Sequence, residues 1–100
     1  MERERGEGAT TFLVERYWPG VTADALAAAV RRGKRVAEAM TQEGTPVRYL
    51  SSTLVPNDEL VLCLFEAASA EAVSELSARA EMPVDRIVEA VSLVSLERAA

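Results

Sequence analysis

The sequence predicts an α+β fold with the element order β-α-β-β-α-β, and three features carry that prediction. The first is Leu60-Val61-Leu62-Cys63-Leu64-Phe65, an unbroken apolar run closed by Glu66. A run this short, bounded by Pro56-Asn57-Asp58 and Ala68-Ser69, is a central β-strand that needs cover on both faces. The second is the β-branched and aromatic stretch Thr11-Phe12-Leu13-Val14-Glu15-Arg16-Tyr17-Trp18, a strand ended by Pro19-Gly20. The third is a long stripe at three- and four-residue spacing, Leu26, Ala29, Val30, Gly33, Val36, Ala37 and Met40, which is one face of a helix.

Taken in order, residues 1–9 alternate charge with glycine and read as a disordered tail before the domain at 10–94. Thr22 caps the first helix, Ala23 to Glu43, with Asp24 at its positive end. Gly33 on the inner stripe costs up to about 1 kcal/mol of helix propensity, so a backbone or bulky side chain is expected against it. Gly44 stops the helix at C′. Pro46 opens an edge strand, Val47 to Val55, with Val47, Tyr49, Ser51, Thr53 and Val55 on one face. Pro56-Asn57-Asp58-Glu59 connects it to the central strand. Ser69 caps a second helix with the narrow stripe Ala72, Val73, Leu76 and Ala80, which Met82-Pro83 breaks. The last strand is expected from Arg86 to Leu93, with 95–100 as a tail.

This order is the split β-α-β, or ferredoxin-like, arrangement. Right-handed crossovers put the first and third strands in the middle of an antiparallel four-stranded sheet and both helices on one face. Half of Leu60 to Phe65 then faces nothing within the chain. An open apolar sheet face usually marks an interface, and a two-fold homodimer is the expected partner.

Composition bounds the chemistry. A net charge of −5 argues against a nucleic-acid partner. No apolar run approaches the length needed to cross a membrane, and the N-terminus lacks the apolar stretch of a secretory signal, so a cytoplasmic protein is expected. Cys63 is the sole cysteine and there is no histidine. That removes Ser-His-Asp and Cys-His nucleophile systems, and with them most hydrolytic mechanisms. Cys63, between Leu62 and Leu64, reads as core. Arg31-Arg32-Gly33-Lys34-Arg35 spreads around a helix and reads as a solvated face.

A charge on a central strand is costly unless paired or near the rim, which draws attention to Glu15 and Arg16. The end of the first strand lies beside the start of the fourth, so Glu15 comes within reach of Arg86 or Glu89, with Tyr17 lining the same region. The functional reading is a small polar pocket on the open face, anchored by Glu15. The structural reading is an ion pair at the sheet end. Trp18 and Tyr17, beside Pro19-Gly20, either stack a flat ligand or anchor the loop against the core. Glu66, at the other end of the sheet, reads as a solvated strand terminus.

Four segments in this order are similar to one known family: Phe12-Leu13-Val14-Glu15-Arg16-Tyr17-Trp18-Pro19-Gly20, Val47-Arg48-Tyr49-Leu50-Ser51-Ser52-Thr53, Cys63-Leu64-Phe65-Glu66-Ala67 and Pro83-Val84-Asp85-Arg86-Ile87-Val88-Glu89. Over about residues 11 to 94 the chain resembles small bacterial proteins of a domain-of-unknown-function family that includes a nickel-binding protein. The resemblance implies a ferredoxin-like fold, a dimer and nickel as the cofactor. The residues that would serve such a site are Glu15 and Glu89 as metal carboxylates, with Tyr17, Arg16 and Trp18 lining it. Nickel favours imidazole and other nitrogen ligands, which histidine does not supply here. Three functions follow: a non-catalytic nickel-binding or sequestering dimer, a small-molecule-binding or cofactor-independent enzyme of the dimeric α+β type, or a protein-interaction module. The first is the reading the resemblance favours.

Overall fold

The computed structural model describes residues 9–91 and residue 93, so the expected tails lie outside it apart from Ala9. The elements are β1 (Thr10–Tyr17), α1 (Ala23–Gln42), β2 (Val47–Val55), β3 (Leu60–Ala67), α2 (Ala70–Arg79) and β4 (Arg86–Glu89). The sheet order is β2-β3-β1-β4 with every neighbouring pair antiparallel, which is the expected ferredoxin-like order.

Local chemistry sets the boundaries. Thr22 Oγ1 accepts from the Ala25 amide at 3.0 Å, and Ser69 Oγ accepts from the Ala72 amide at 3.2 Å, so both helices start on hydroxyl caps. Gly44 leaves α1 with φ of 100°, a conformation open to glycine at little cost. A 3-10 turn at Pro56–Asp58 joins β2 to β3, and Glu59 closes it in the left-handed region at φ 52°.

β3 alternates between buried and half-buried along its whole length. Val61, Cys63, Phe65 and Ala67 point at the helices, where they pack with Phe12 and Val14 of β1, Leu26, Ala29, Ala37 and Met40 of α1, and Val73 and Leu76 of α2. Leu60, Leu62, Leu64 and Glu66 take the other face. Across the sheet they meet Tyr17, Glu15, Leu13 and Thr11, so the open face is apolar at its centre with polar ends. Leu13, Leu62, Leu64 and Val88 are only half-buried in the single chain. Among the described residues no element covers this face, as the sequence predicts.

Two expectations need correction. The alternation of β2 is not continuous: a β-bulge between Tyr49 and Ser51 inserts Leu50 as an extra residue, so the strand pairs Tyr49 with Phe65 but Ser51 with Leu64. Val47 and Tyr49 share the helix-side face, but beyond the bulge it is Ser52 and Leu54 that take it, and Ser51, Thr53 and Val55, expected on the face of Val47 and Tyr49, turn outward. The bulge places Leu54 against the core. The fourth strand is also shorter than the expected run to Leu93. It pairs only from Arg86 to Glu89, with one further bond from the Ala90 amide to the Thr11 carbonyl at 2.9 Å. Its partner β1 begins at Thr10, which falls opposite position 91 in this register, so a strand running on to Leu93 would pass the end of β1.

Candidate functional site

Two polar sites emerge on opposite faces of the sheet. On the open face, Glu15 pairs with Arg86 at 3.4 Å, with side chains 34% and 62% exposed. This is the expected ion pair at the sheet end. The loop before β4 is tied to it, since the Asp85 amide donates to the Glu15 carbonyl at 2.8 Å and the Asp85 carboxylate accepts from the Tyr17 amide. Tyr17 is exposed beside it. Trp18 turns away and packs partly buried against the core, its amide bonded to the Glu59 carbonyl at 2.8 Å. This is the contact that the loop-anchoring reading expects.

The two expected metal carboxylates do not meet. Glu15 is opposite Arg86, whereas Glu89 is opposite Phe12 and shares the helix-side face with Phe12 and Ile87. Strand geometry places side chains an odd number of residues apart on opposite faces, so Glu15 and Glu89 belong to different surfaces. Glu66 lies on the same face as Glu15 at the far end, where Arg48 pairs with it at 3.0 Å.

Arg16 is the larger departure from the expected open-face pocket. Its side chain is on the helix side and has no exposed surface. Nη1 donates to the Pro83 carbonyl at 2.8 Å and to Ser77 Oγ at 3.2 Å, and Nε donates to Cys63 Sγ at 3.3 Å. The guanidinium also lies 5.9 Å from the centre of the Phe65 ring. Nη2 is buried without a hydrogen-bond partner among the described residues. Cys63 in turn lies 3.0 Å from Ser52 Oγ and 3.5 Å from the Tyr49 hydroxyl, which are themselves 2.6 Å apart. Burial, with help from the Cys63 contact, pushes the Tyr49 phenol well above its ordinary ionisation range.

This helix-side network was only partly legible in the sequence. The charge on a central strand marked Arg16, but Ser52 was hidden by the bulge. The available signal was the spacing of Tyr49 and Leu54, an odd separation that no unbroken strand places on one face. Ser77 sits on the apolar stripe of α2 one residue after Leu76 and reads there as an ordinary helix serine.

Tyr49 and Ser52 also floor an open groove between α1 and β2 of about 430 Å³, walled by Leu26, Val30 and Leu54 with Lys34 at its edge. Its groups converge on the hydroxyl pair, but it is not enclosed.

A family model described as nickel responsive protein SCO4226-like matches residues 12–90. The chain belongs to the SCO4226-like family. The crystal structure of SCO4226 from Streptomyces coelicolor A3(2) superposes with a TM-score of 0.72 at 27% identity, covering 82% of this chain and 98% of that one. No curated protein matches the chain. The SCO4226-like match covers all four segments that carry the resemblance as far as Glu89.

Whether this SCO4226-like chain could itself hold nickel is a question of donors. Among the described residues no three His, Cys, Asp or Glu side chains come together as a metal site. Histidine is absent, Glu15 is engaged by Arg86, and Cys63 is enclosed beside Arg16. The described donors of one chain do not fit a closed nickel site. Among the described residues no helix is long and apolar enough to cross a membrane.

Proposed function

We propose that the protein is a non-catalytic, homodimeric SCO4226-like protein whose association with nickel is weak and made by carboxylates, Glu15 foremost. The observation that carries the reading is the family match together with the open sheet face. Leu13, Leu62, Leu64 and Val88 form an apolar centre on that face, and a second copy is the simplest cover for it. Glu15 is the half-exposed carboxylate at the edge of that centre, on a central strand. Oxygen donors alone suit nickel poorly, which sets the expectation of low affinity.

Titration calorimetry with nickel, run beside light scattering, tests both halves. The expected outcome is a dimer at micromolar concentration and nickel binding weaker than micromolar that falls further in Glu15→Gln. Tight stoichiometric binding would refute the weak carboxylate site, and a stable monomer would refute the dimer. The groove at Tyr49 and Ser52 supports a second reading, binding of a small molecule. Its open form makes it the weaker one.

A further inference from the structure

We propose that Cys63 is held as a thiolate, the buried counter-ion of Arg16. The reasoning begins with the charge. A guanidinium stays protonated under all conditions in a protein, and Arg16 is fully buried. An ion taken out of water without a partner is penalised by several kcal/mol even after relaxation. Two of the acceptors around it, the Pro83 carbonyl and Ser77 Oγ, are neutral. No described carboxylate reaches it. Nη2 has no acceptor among the described residues, so their neutral groups do not saturate this cation.

Among the described residues, one group in contact with the guanidinium can become an anion, and that is Cys63, with Nε aimed at Sγ from 3.3 Å. Its other polar neighbours are hydroxyls, which can donate to it. Ser52 Oγ stands 3.0 Å from Sγ, and Tyr49 bonds to Ser52 at 2.6 Å, so one proton can point from Tyr49 to Ser52 and the next from Ser52 to sulfur. Tyr49 keeps its proton because burial holds the phenol neutral. It is a donor here and no rival anion. The remaining ionisable groups turned toward this side do not compete. From α1, Arg32 is bound to the Ala80 carbonyl at 2.9 Å, and Lys34 stands at the groove edge. From β4 comes Glu89, exposed beside Phe12 at the sheet margin. From α2 the contact is Ser77, which does not ionise in this range.

Cys63 has no accessible surface, so the thiolate is structural and shielded from bulky reagents. Folding drives the thiol proton into solvent, and the sulfur keeps the electron pair that faces Arg16. Any modification that caps the sulfur would leave the guanidinium uncompensated in the core. The thiol state of this residue is thereby coupled to the packing of β1, β3 and α2.

Because Cys63 is the sole cysteine, Raman spectroscopy of the wild-type protein reads its state directly through the S–H stretch. At pH 7 the folded protein is expected to lack that band, and the guanidinium-unfolded protein to show it. Arg16→Met is expected to restore the S–H band in the folded state, and Cys63→Ser to lack it folded or unfolded. A folded wild-type protein with a full S–H band would overturn the assignment, leaving a neutral ring of Cys63, Ser52 and Tyr49. A folded Arg16→Met protein without the band would overturn the role given to Arg16. If Arg16→Met fails to fold, the wild-type comparison still decides the ionisation, and Tyr49→Phe with Ser52→Ala tests the donor side of the same pair.

Discussion

Gly33 of α1 lies directly over the ring of Tyr49 of β2: a Cβ built on the glycine would fall 2.6 Å from Tyr49 Cε2 and 3.0 Å from Cδ2. The helix accepts a residue of poor propensity because the sheet presents an aromatic ring at that point. The contact fixes the Tyr49 ring against Phe65, whose centroid is 4.6 Å away, and so positions its hydroxyl over Ser52 and Cys63.

Gly33→Ala therefore sets two effects against each other. Alanine gains about 1 kcal/mol of helix propensity, while overpacking of a fitted contact costs about 1–3 kcal/mol. Net destabilisation is expected in urea unfolding, and pairing the change with Tyr49→Ala should relieve the clash. A more stable single variant would show that the ring moves aside freely.

Removing Ser77 Oγ leaves Arg16 with one acceptor fewer inside a closed site. Ser77→Ala is expected to lose about 1–3 kcal/mol, far more than an ordinary helix serine would. Thermal or denaturant unfolding of the two proteins measures it.

Leu64 lies at the apolar centre of the open face and is half-buried in the single chain. Leu64→Lys is expected to convert a dimer to a monomer in sedimentation while retaining the helical circular dichroism of the wild type. Retention of the dimer would place the contact elsewhere.

Glu15→Gln removes an ion pair that is partly exposed on one side and largely exposed on the other. Such pairs contribute about 0–1 kcal/mol, so unfolding should shift little. Any loss of nickel binding in this variant then reports on the site and not on the fold.

The Tyr49 phenol is raised in the folded state, chiefly by burial. The sign follows from the proton count. Above about pH 10 the unfolded chain releases the tyrosine proton while the folded chain keeps it. The stabilisation is fully present below that pH and is lost as pH rises toward the folded value. Stability should therefore fall above about pH 10, and Tyr49→Phe should flatten that decline. A decline of equal slope in the variant would assign it to other groups.

Much of the fold was legible along the chain. Caps at Thr22 and Ser69, the stop at Gly44 and the strand bounds of β2 depend on neighbours within a few residues. The apolar run at Leu60 to Phe65 announced both the central strand and its uncovered face. The candidate site was less legible, because it depends on which residues of different strands fall opposite one another. Glu15 was expected near Arg86 or Glu89, and register alone selected Arg86.

What the sequence determined by itself is the order of elements, the central apolar strand, and the family to which the chain belongs. Those are properties of periodicity and of short-range chemistry. Only the tertiary structure decided that Glu15 and Glu89 are parted by the sheet, and that Arg16 ends in a closed site with Cys63, Ser77 and Pro83. The reason is physical: which residues of β1 and β4 share a face follows from the register between the two strands, and in β2 one bulge at Leu50 exchanges the faces beyond it, which brings Ser52 to Cys63. The guanidinium could also be matched to its partners only after β3 and α2, far away in sequence, had been folded against it.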